Sequence, residues 1–338
     1  MLIIAIVIVF DISEKIDDFL EKKAPLTAII FDYYLNFIPY FVNLFSPLFT
    51  FISVIFFTAK LASNTEIIAI LGGGVSFKRL LWPYLLSAGV LAMLSYTLGS
   101  WIIPKTNAKR LAFENKYTRS PFRYSGKNIH RQISPGVLIY LENYNNIDQV
   151  GTKFSLERIR NGKMTFKLVS DYIQWDSTSG KWRVNNYSIR EIREMRENLR
   201  FGVRLDTSLG FKPDQFNQRL NTIETMNSSE LNKFIALERL HGSENINFYL
   251  IEKYRRIAFP FATFILTLIG VSLASRKVRG GIGLQIGMGL LLSFSYILFM
   301  QVSTTFATSG SLSPFIAVWL PNFLFAGIAL FLVKYIPK

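Results

Sequence analysis

The stretch TEIIAILGGGVSFKRLLWP, Thr65 to Pro83, sets three glycines before a Lys–Arg pair. A loop of that composition can hold a phosphate on its backbone N–H groups. The phosphate-binding loop of nucleotide hydrolases requires G-x-x-x-x-G-K-[ST], its Ser/Thr hydroxyl meeting the metal ion. Counted from Gly72, the second glycine falls on Phe77 and the Ser/Thr on Arg79, so that only Lys78 is in place. The dinucleotide pattern G-x-G-x-x-G fails at the same Phe77, and no strand precedes it. The loop is therefore not read as a nucleotide site.

Other chemistry is equally sparse. The chain has no cysteine, which excludes disulfides, thiolate metal sites and cysteine nucleophiles. Its two histidines, His130 and His241, lie far apart in sequence without carboxylates at ligand spacing, so each reads as a surface or packing residue and no metal is expected. No triad or paired carboxylates appear, which argues against an enzyme. No acid is read in the middle of an apolar segment, which argues against a secondary transporter.

What remains to be explained is how the charges are distributed. Among 338 residues, 50% are hydrophobic, 30 are Phe and only 18% are charged, against about 25% in soluble domains. The net charge is +15, and residues 104–253 hold 25 Lys+Arg against 16 Asp+Glu, a surplus of +9. Zinc-ligand spacing, RNP-like sequence and long Lys/Arg runs are all missing, so nucleic acid is not an expected partner. Apolar segments near the roughly 20 residues that a membrane-crossing helix needs run over Ile38–Ala62, Leu80–Ile103, Ile257–Ser275, Ile282–Phe306 and Pro314–Ile336, their only charges being Lys60 and Lys334 near two of the ends. The opening MLIIAIVIVF is too short to span and is followed by Asp11; Met1–Ile12 reads as the second half of a sixth spanning helix whose beginning lies upstream.

The fold class expected is a membrane α-helical protein of six spans, the first truncated, with an inserted all-β, jellyroll-like periplasmic domain. Residues 1–103 carry spans 1–3, 104–245 the β domain and 246–338 spans 4–6. Within the insert, Pro135–Tyr144, Lys153–Ile159, Lys163–Trp175 and Lys181–Ile189 alternate apolar and polar residues between turn residues, and the segment after Asn227 reads as a helix with Asn227–Ser229 as candidate caps. Basic residues set the orientation: Lys60, Lys78, Arg79, Arg276, Lys277, Arg279, Lys334 and Lys338 mark one side as cytoplasmic, with both chain ends, and leave 104–253 outside.

On that topology the opening stretch joins two spans on the cytoplasmic side. Ser63 and Glu66 have the spacing of a capping box, the apolar run to Leu71 makes a short surface helix, Gly72–Gly74 end it, and Ser76 is placed to cap the next helix. The order LASNTEIIAILGGGVSFKRL, WIIPKTNAKRLAFENKY, PGVLIYLENYN, SRKVRGGIGLQIGMG and VWLPNFLF resembles, along essentially the whole chain, the LptF/LptG permeases of lipopolysaccharide export, leaning slightly toward LptG. Thr65 stands where that pattern usually has Ser.

The resemblance implies a permease subunit of an ATP-driven exporter in the bacterial inner membrane. Such a subunit pairs with a second homologous permease, extracts lipopolysaccharide and passes it to an LptC-like periplasmic bridge. It binds no cofactor itself, ATP being held by a cytoplasmic, LptB-like ATPase dimer. Glu66, Ile67, Ile68, Ala69, Ile70 and Leu71 would then form the coupling helix on that ATPase. Candidate head-group contacts are Lys15, Lys22, Lys23, Arg255 and Arg256. Gly283 and Gly287, a G-x-x-x-G pair, would pack a gate seam, and Arg276, Lys277 and Arg279 occupy the second cytoplasmic loop. Two other readings stay open at this point: a mechanotransmitting ABC permease of another type, and a membrane assembly scaffold that transports nothing.

Overall fold

The computed structural model describes residues 2–119, 127–193, 196–216, 220–275 and 281–335. Its helices are α1 (Leu2–Glu21), α2 (Leu26–Ser63), α3 (Glu66–Gly72), α4 (Phe77–Tyr117), α5 (Ser228–Leu240), α6 (Ile246–Ala274), α7 (Gly281–Thr308) and α8 (Pro314–Lys334). Among the described residues, α2, α4, α6, α7 and α8 are long and apolar enough to cross a bilayer. The chain divides into two compact units: one of Met1–Thr118, Ile223–Leu231 and Asn247–Lys338, the other of Arg119–Thr222 and Asn232–Ile246.

Two expectations about helix ends are corrected. Asp11 does not end the first helix; α1 runs through it to Glu21. Its charge is met locally, by Lys15 one turn on at 2.8 Å and by the hydroxyls of Tyr33 and Tyr34 at 3.0 and 3.1 Å, so no break is needed. Likewise α4 does not stop near Ile103 but continues to Tyr117, with Pro104 in the first turn after a π-helical segment at Leu98–Ile102. There the missing N–H costs least.

In the helical unit α6 is central. Ala262, Leu266 and Ile269 of α6 pack with Phe51, Ile55 and Ala59 of α2, Tyr296 of α7 and Phe325 of α8. Side chains meet carbonyls where the helical ladder is interrupted, by a proline in one case and by a π-helical turn in another. Pro321 removes the N–H that would reach Ala317 O, and the Ser303 hydroxyl donates to that oxygen at 2.7 Å. Asn36 donates to Phe31 O and Asp32 O at 2.8 and 3.0 Å, where the π-helical turn at Ile29–Tyr34 disturbs the regular ladder. A second buried link ties three helices: the Tyr296 hydroxyl donates to Asn322 Oδ1 at 2.8 Å, and Asn322 Nδ2 donates to Ala258 O at 3.0 Å.

The other unit is built on one antiparallel sheet of β1 (Lys127–Ser134), β2 (Val137–Asn145), β3 (Val150–Arg160), β4 (Lys163–Asp176), β5 (Lys181–Arg193) and β6 (Arg196–Thr207), in sequence order. The described strands form one sheet rather than the two stacked sheets of a sandwich. Its core gathers Leu141, Phe154, Ile173, Trp182 and Phe211, and the buried Trp182 indole donates to Phe211 O at 2.8 Å. The four strands expected from alternation are present as β2–β5; β1 and β6 are additional.

Candidate functional site

The short helix α3 is fixed by what stands at its two ends. The capping box is not formed: the Ser63 hydroxyl donates back to Lys60 O at 2.8 Å, and Glu66 instead accepts from the Asn64 amide at 3.0 Å. Thr65 makes the turn into α3 with φ +65° and without a side-chain cap, a conformation uncommon for a β-branched residue. The far end follows the glycine logic. Gly74 has φ +89°, its N–H donates to Leu71 O at 3.0 Å, and Val75 N–H donates to Ile70 O at 3.3 Å. That pair of bonds is the Schellman arrangement. Ser76 stands at the N-cap of α4 in extended conformation, yet its hydroxyl makes no capping bond.

Between these ends the side chains divide. Ile67 is 1% exposed and holds α3 to its own unit, whereas Ile68 is 58% and Ile70 36% exposed. Glu66 and Ala69 are exposed as well, and Leu71 is half-buried. What α3 offers a partner is a carboxylate and two aliphatic side chains on a helix gripped from below.

A second site collects charges in the same unit. Lys15 bonds Asp11 and the Tyr33 hydroxyl and lies 4.0 Å from Glu114. Arg110 connects Glu114 at 3.7 Å to Glu224 at 3.5 Å. Arg255 donates to Glu252 at 2.5 Å. Arg256 is buried and donates to Glu252 at 3.0 Å, to Met226 O at 2.8 Å and to Ile223 O at 3.1 Å. Its charge thus serves to hold the 223–226 segment on α6. Arg255, with its side chain 43% exposed, borders a small cavity of about 90 Å³ with Asn43, Ser95, Asn107 and Glu224. The side-chain amide oxygen Oδ1 of Asn107 there is buried and has no hydrogen-bond partner among the described residues. Burial, and next the charge of Glu252, push the Glu224 carboxyl above the ordinary glutamate range, against the pull of Arg110 and Arg255. Lys22 and Lys23 lie exposed in the turn after α1.

The acids of this network, Asp11, Glu114, Glu224 and Glu252, were not among the sequence candidates, nor was Arg110. Four pairs had the legible spacing of helical neighbours: Asp11 and Lys15, Arg110 and Glu114, Glu252 and Arg255, Glu252 and Arg256. The links from Arg110 to Glu224 and from Lys15 to Glu114 join distant segments, and no local signal marks them.

The glycine pair on α7 faces outward. A Cβ at Gly283 or Gly287 would meet nothing within 4 Å, whereas one at Gly289 would stand 2.2 Å from Ile55 Cδ1 on α2. Close packing inside the chain therefore belongs to Gly289, and the G-x-x-x-G face is open. Arg276, Lys277 and Arg279 lie outside the described residues. Neither histidine coordinates with a third ligand; among the described residues no group of three or more His, Cys, Asp or Glu side chains is placed to hold a metal ion. Both line one cleft of the β unit, of about 550 Å³, with Tyr140, Glu157 and Lys167.

Compared with known protein families, residues 1–335 match the model described as lipopolysaccharide export system permease LptF/LptG. No curated protein matches the chain.

Proposed function

The chain belongs to the LptF/LptG family of lipopolysaccharide export permeases, and on that premise we propose that it couples a separate ATPase to lipopolysaccharide extraction through α3. As a permease subunit of the export system, the protein is a multi-pass membrane protein. The finer reading is that an LptB-like ATPase dimer docks on α3 from the cytoplasm, that a second homologous permease completes the cavity, and that an LptC-like protein receives the cargo. The observation that carries it is the division of α3 into a buried anchor, Ile67, and an exposed set of Glu66, Ile68 and Ile70. A joint that transmits force needs one side fixed to the moving span and the other complementary to a partner. A carboxylate beside aliphatic side chains suits a groove with a cation at its rim. The lipid head group would meet the cations at the surface, Lys22, Lys23 and Arg255, rather than the buried Arg256.

The test is purification of the full chain with its neighbours, with and without Glu66→Lys and Ile68→Asp. The expected result is co-purification of an ATPase with the wild type, and its loss in either variant without a change in the melting temperature of the permease. An ATPase that stays bound to both variants, with export intact, overturns the coupling role of α3.

A further inference from the structure

We propose that the cleft between α2 and α4 is a binding site for one acyl chain of a bilayer phospholipid, separate from the cargo. The cleft measures about 540 Å³, is walled by α2 from Val42 to Phe57 and by α4 from Pro83 to Leu91, and has Thr267 of α6 as its floor. Ser46, Ser53 and Ser87 line it with small side chains. Thr50 and Ser87 turn their hydroxyls back onto Ser46 O at 2.9 Å and Pro83 O at 3.0 Å, so the walls present carbon over much of their length.

The dimensions choose the occupant. From Val42 to Phe57 the wall runs about 22 Å at 1.5 Å per residue, more than half of the roughly 30 Å hydrocarbon core. The facing wall from Pro83 to Leu91 runs about 12 Å, and 540 Å³ spread over about 12 to 22 Å leaves a mean cross-section of about 25–45 Å². A helix with side chains is about 10 Å across, or about 80 Å², so another helix does not fit; a single hydrocarbon chain does. Both walls belong to helices long and apolar enough to cross a bilayer, so hydrocarbon chains are the filler at hand at that depth, and an unfilled slot would forfeit dispersion contacts along its whole lining. Water is a poor filler for so apolar a space. The one polar group at the bottom, the Thr267 hydroxyl, has no hydrogen-bond partner among the described residues, and it gives the proposal a sharp control.

The experiment reconstitutes the full chain in phosphatidylethanolamine/phosphatidylglycerol vesicles. These contain a phospholipid with a photoactivatable group in mid-chain, and the cross-linked peptides are mapped. Adducts on 42–57 and 83–91 are expected to exceed, several-fold, those on the exposed α8 face around Phe323, Leu330 and Phe331. The double variant Ser53→Phe, Ser87→Phe, which fills the slot from positions that are exposed within it, is expected to bring labelling down to the α8 level. Thr267→Val, which keeps the shape and removes the hydroxyl, is expected to leave labelling unchanged. Equal labelling of cleft and α8 overturns the site. Loss with Thr267→Val means a polar occupant, and displacement of the probe by added lipopolysaccharide means a cargo path; either result overturns the phospholipid assignment.

Discussion

Arg256 and Arg255 are adjacent in sequence, yet they do different things. Arg256 is buried with three acceptors around its guanidinium, Glu252 and the carbonyls of Met226 and Ile223. Removing it leaves the carbonyls of Met226 and Ile223 unmatched and Glu252 with Arg255 alone, so Arg256→Ala is expected to cost about 1–3 kcal/mol, read as a lower melting temperature in detergent. Arg255→Ala, at a half-exposed side chain, is expected to change the melt little and lipid binding more. Glu224 gives a pH signature. Its carboxyl titrates above the usual range because it is buried and close to Glu252. The folded state therefore holds this proton more tightly than the unfolded chain does. The resulting stability is full below the unfolded value of about 4.3 and is lost as the pH rises through the folded value. Glu224→Gln is expected to melt above the wild type at neutral pH, with the gap closing in acid. A constant gap at all pH values would mean that Glu224 is held ionised by Arg110.

At the scale of elements, small residues and prolines decide how the helices meet. A side chain at Gly289 would collide with Ile55, which is 1% exposed and has little room to yield. Gly289→Ala is expected to cost about 1–3 kcal/mol of stability, while Gly287→Ala leaves the melt unchanged. A Gly287→Leu effect on pairing with a second subunit, without any effect on the melt, would support a seam on that face. On α8, Ser303→Ala strands Ala317 O, and Pro321→Ala restores its helical donor. The double variant is expected to recover most of the loss, a coupling readable in a double-mutant cycle. Long apolar spans were legible in the sequence because composition alone specifies them, and β2–β5 because their faces alternate. β1 was not, because KNIHRQIS shows little alternation to read. β6 does alternate, Leu199, Phe201, Val203 and Leu205 against Arg200, Arg204 and Asp206, and went unread; its Leu199, Phe201 and Val203 stay exposed instead of joining the core of the sheet. Ser63 and Glu66 had the right spacing for a cap, but Asn64 competes for the same carboxylate, and spacing cannot arbitrate between two local donors. Gln301, a polar side chain within the apolar segment Ile282–Phe306, is exposed. The interhelical bonds come instead from Ser303, Tyr296 and Asn322.

For the whole molecule, the order of elements makes a prediction about sides. α4 and α6 flank the β unit in sequence, and each is long and apolar enough to cross once. The loop after α3 and the end of α8 then share one face of the membrane; the β unit and the loop between α7 and α8 share the other. Lys60, Lys78 and Arg79 bracket α3, whereas FATSGSLS between α7 and α8 has no charge, so the bias of basic residues puts α3 in the cytoplasm, where an ATPase could reach it. The absence of cysteine makes this directly measurable, because a single introduced thiol is the only one to react. Ser76→Cys, Lys163→Cys and Ser311→Cys fall at exposed positions of the three regions. In intact cells with a permeable outer membrane, an impermeant maleimide is expected to label Lys163→Cys and Ser311→Cys, and to label Ser76→Cys only after the inner membrane is opened. Labelling of Ser76→Cys alone in intact cells would turn the molecule over and remove α3 from any ATPase. Labelling of Lys163→Cys and Ser311→Cys from opposite sides would mean that one of the five apolar helices does not cross. The coupling role of α3 therefore stands or falls with the same three thiols that fix the orientation of the chain.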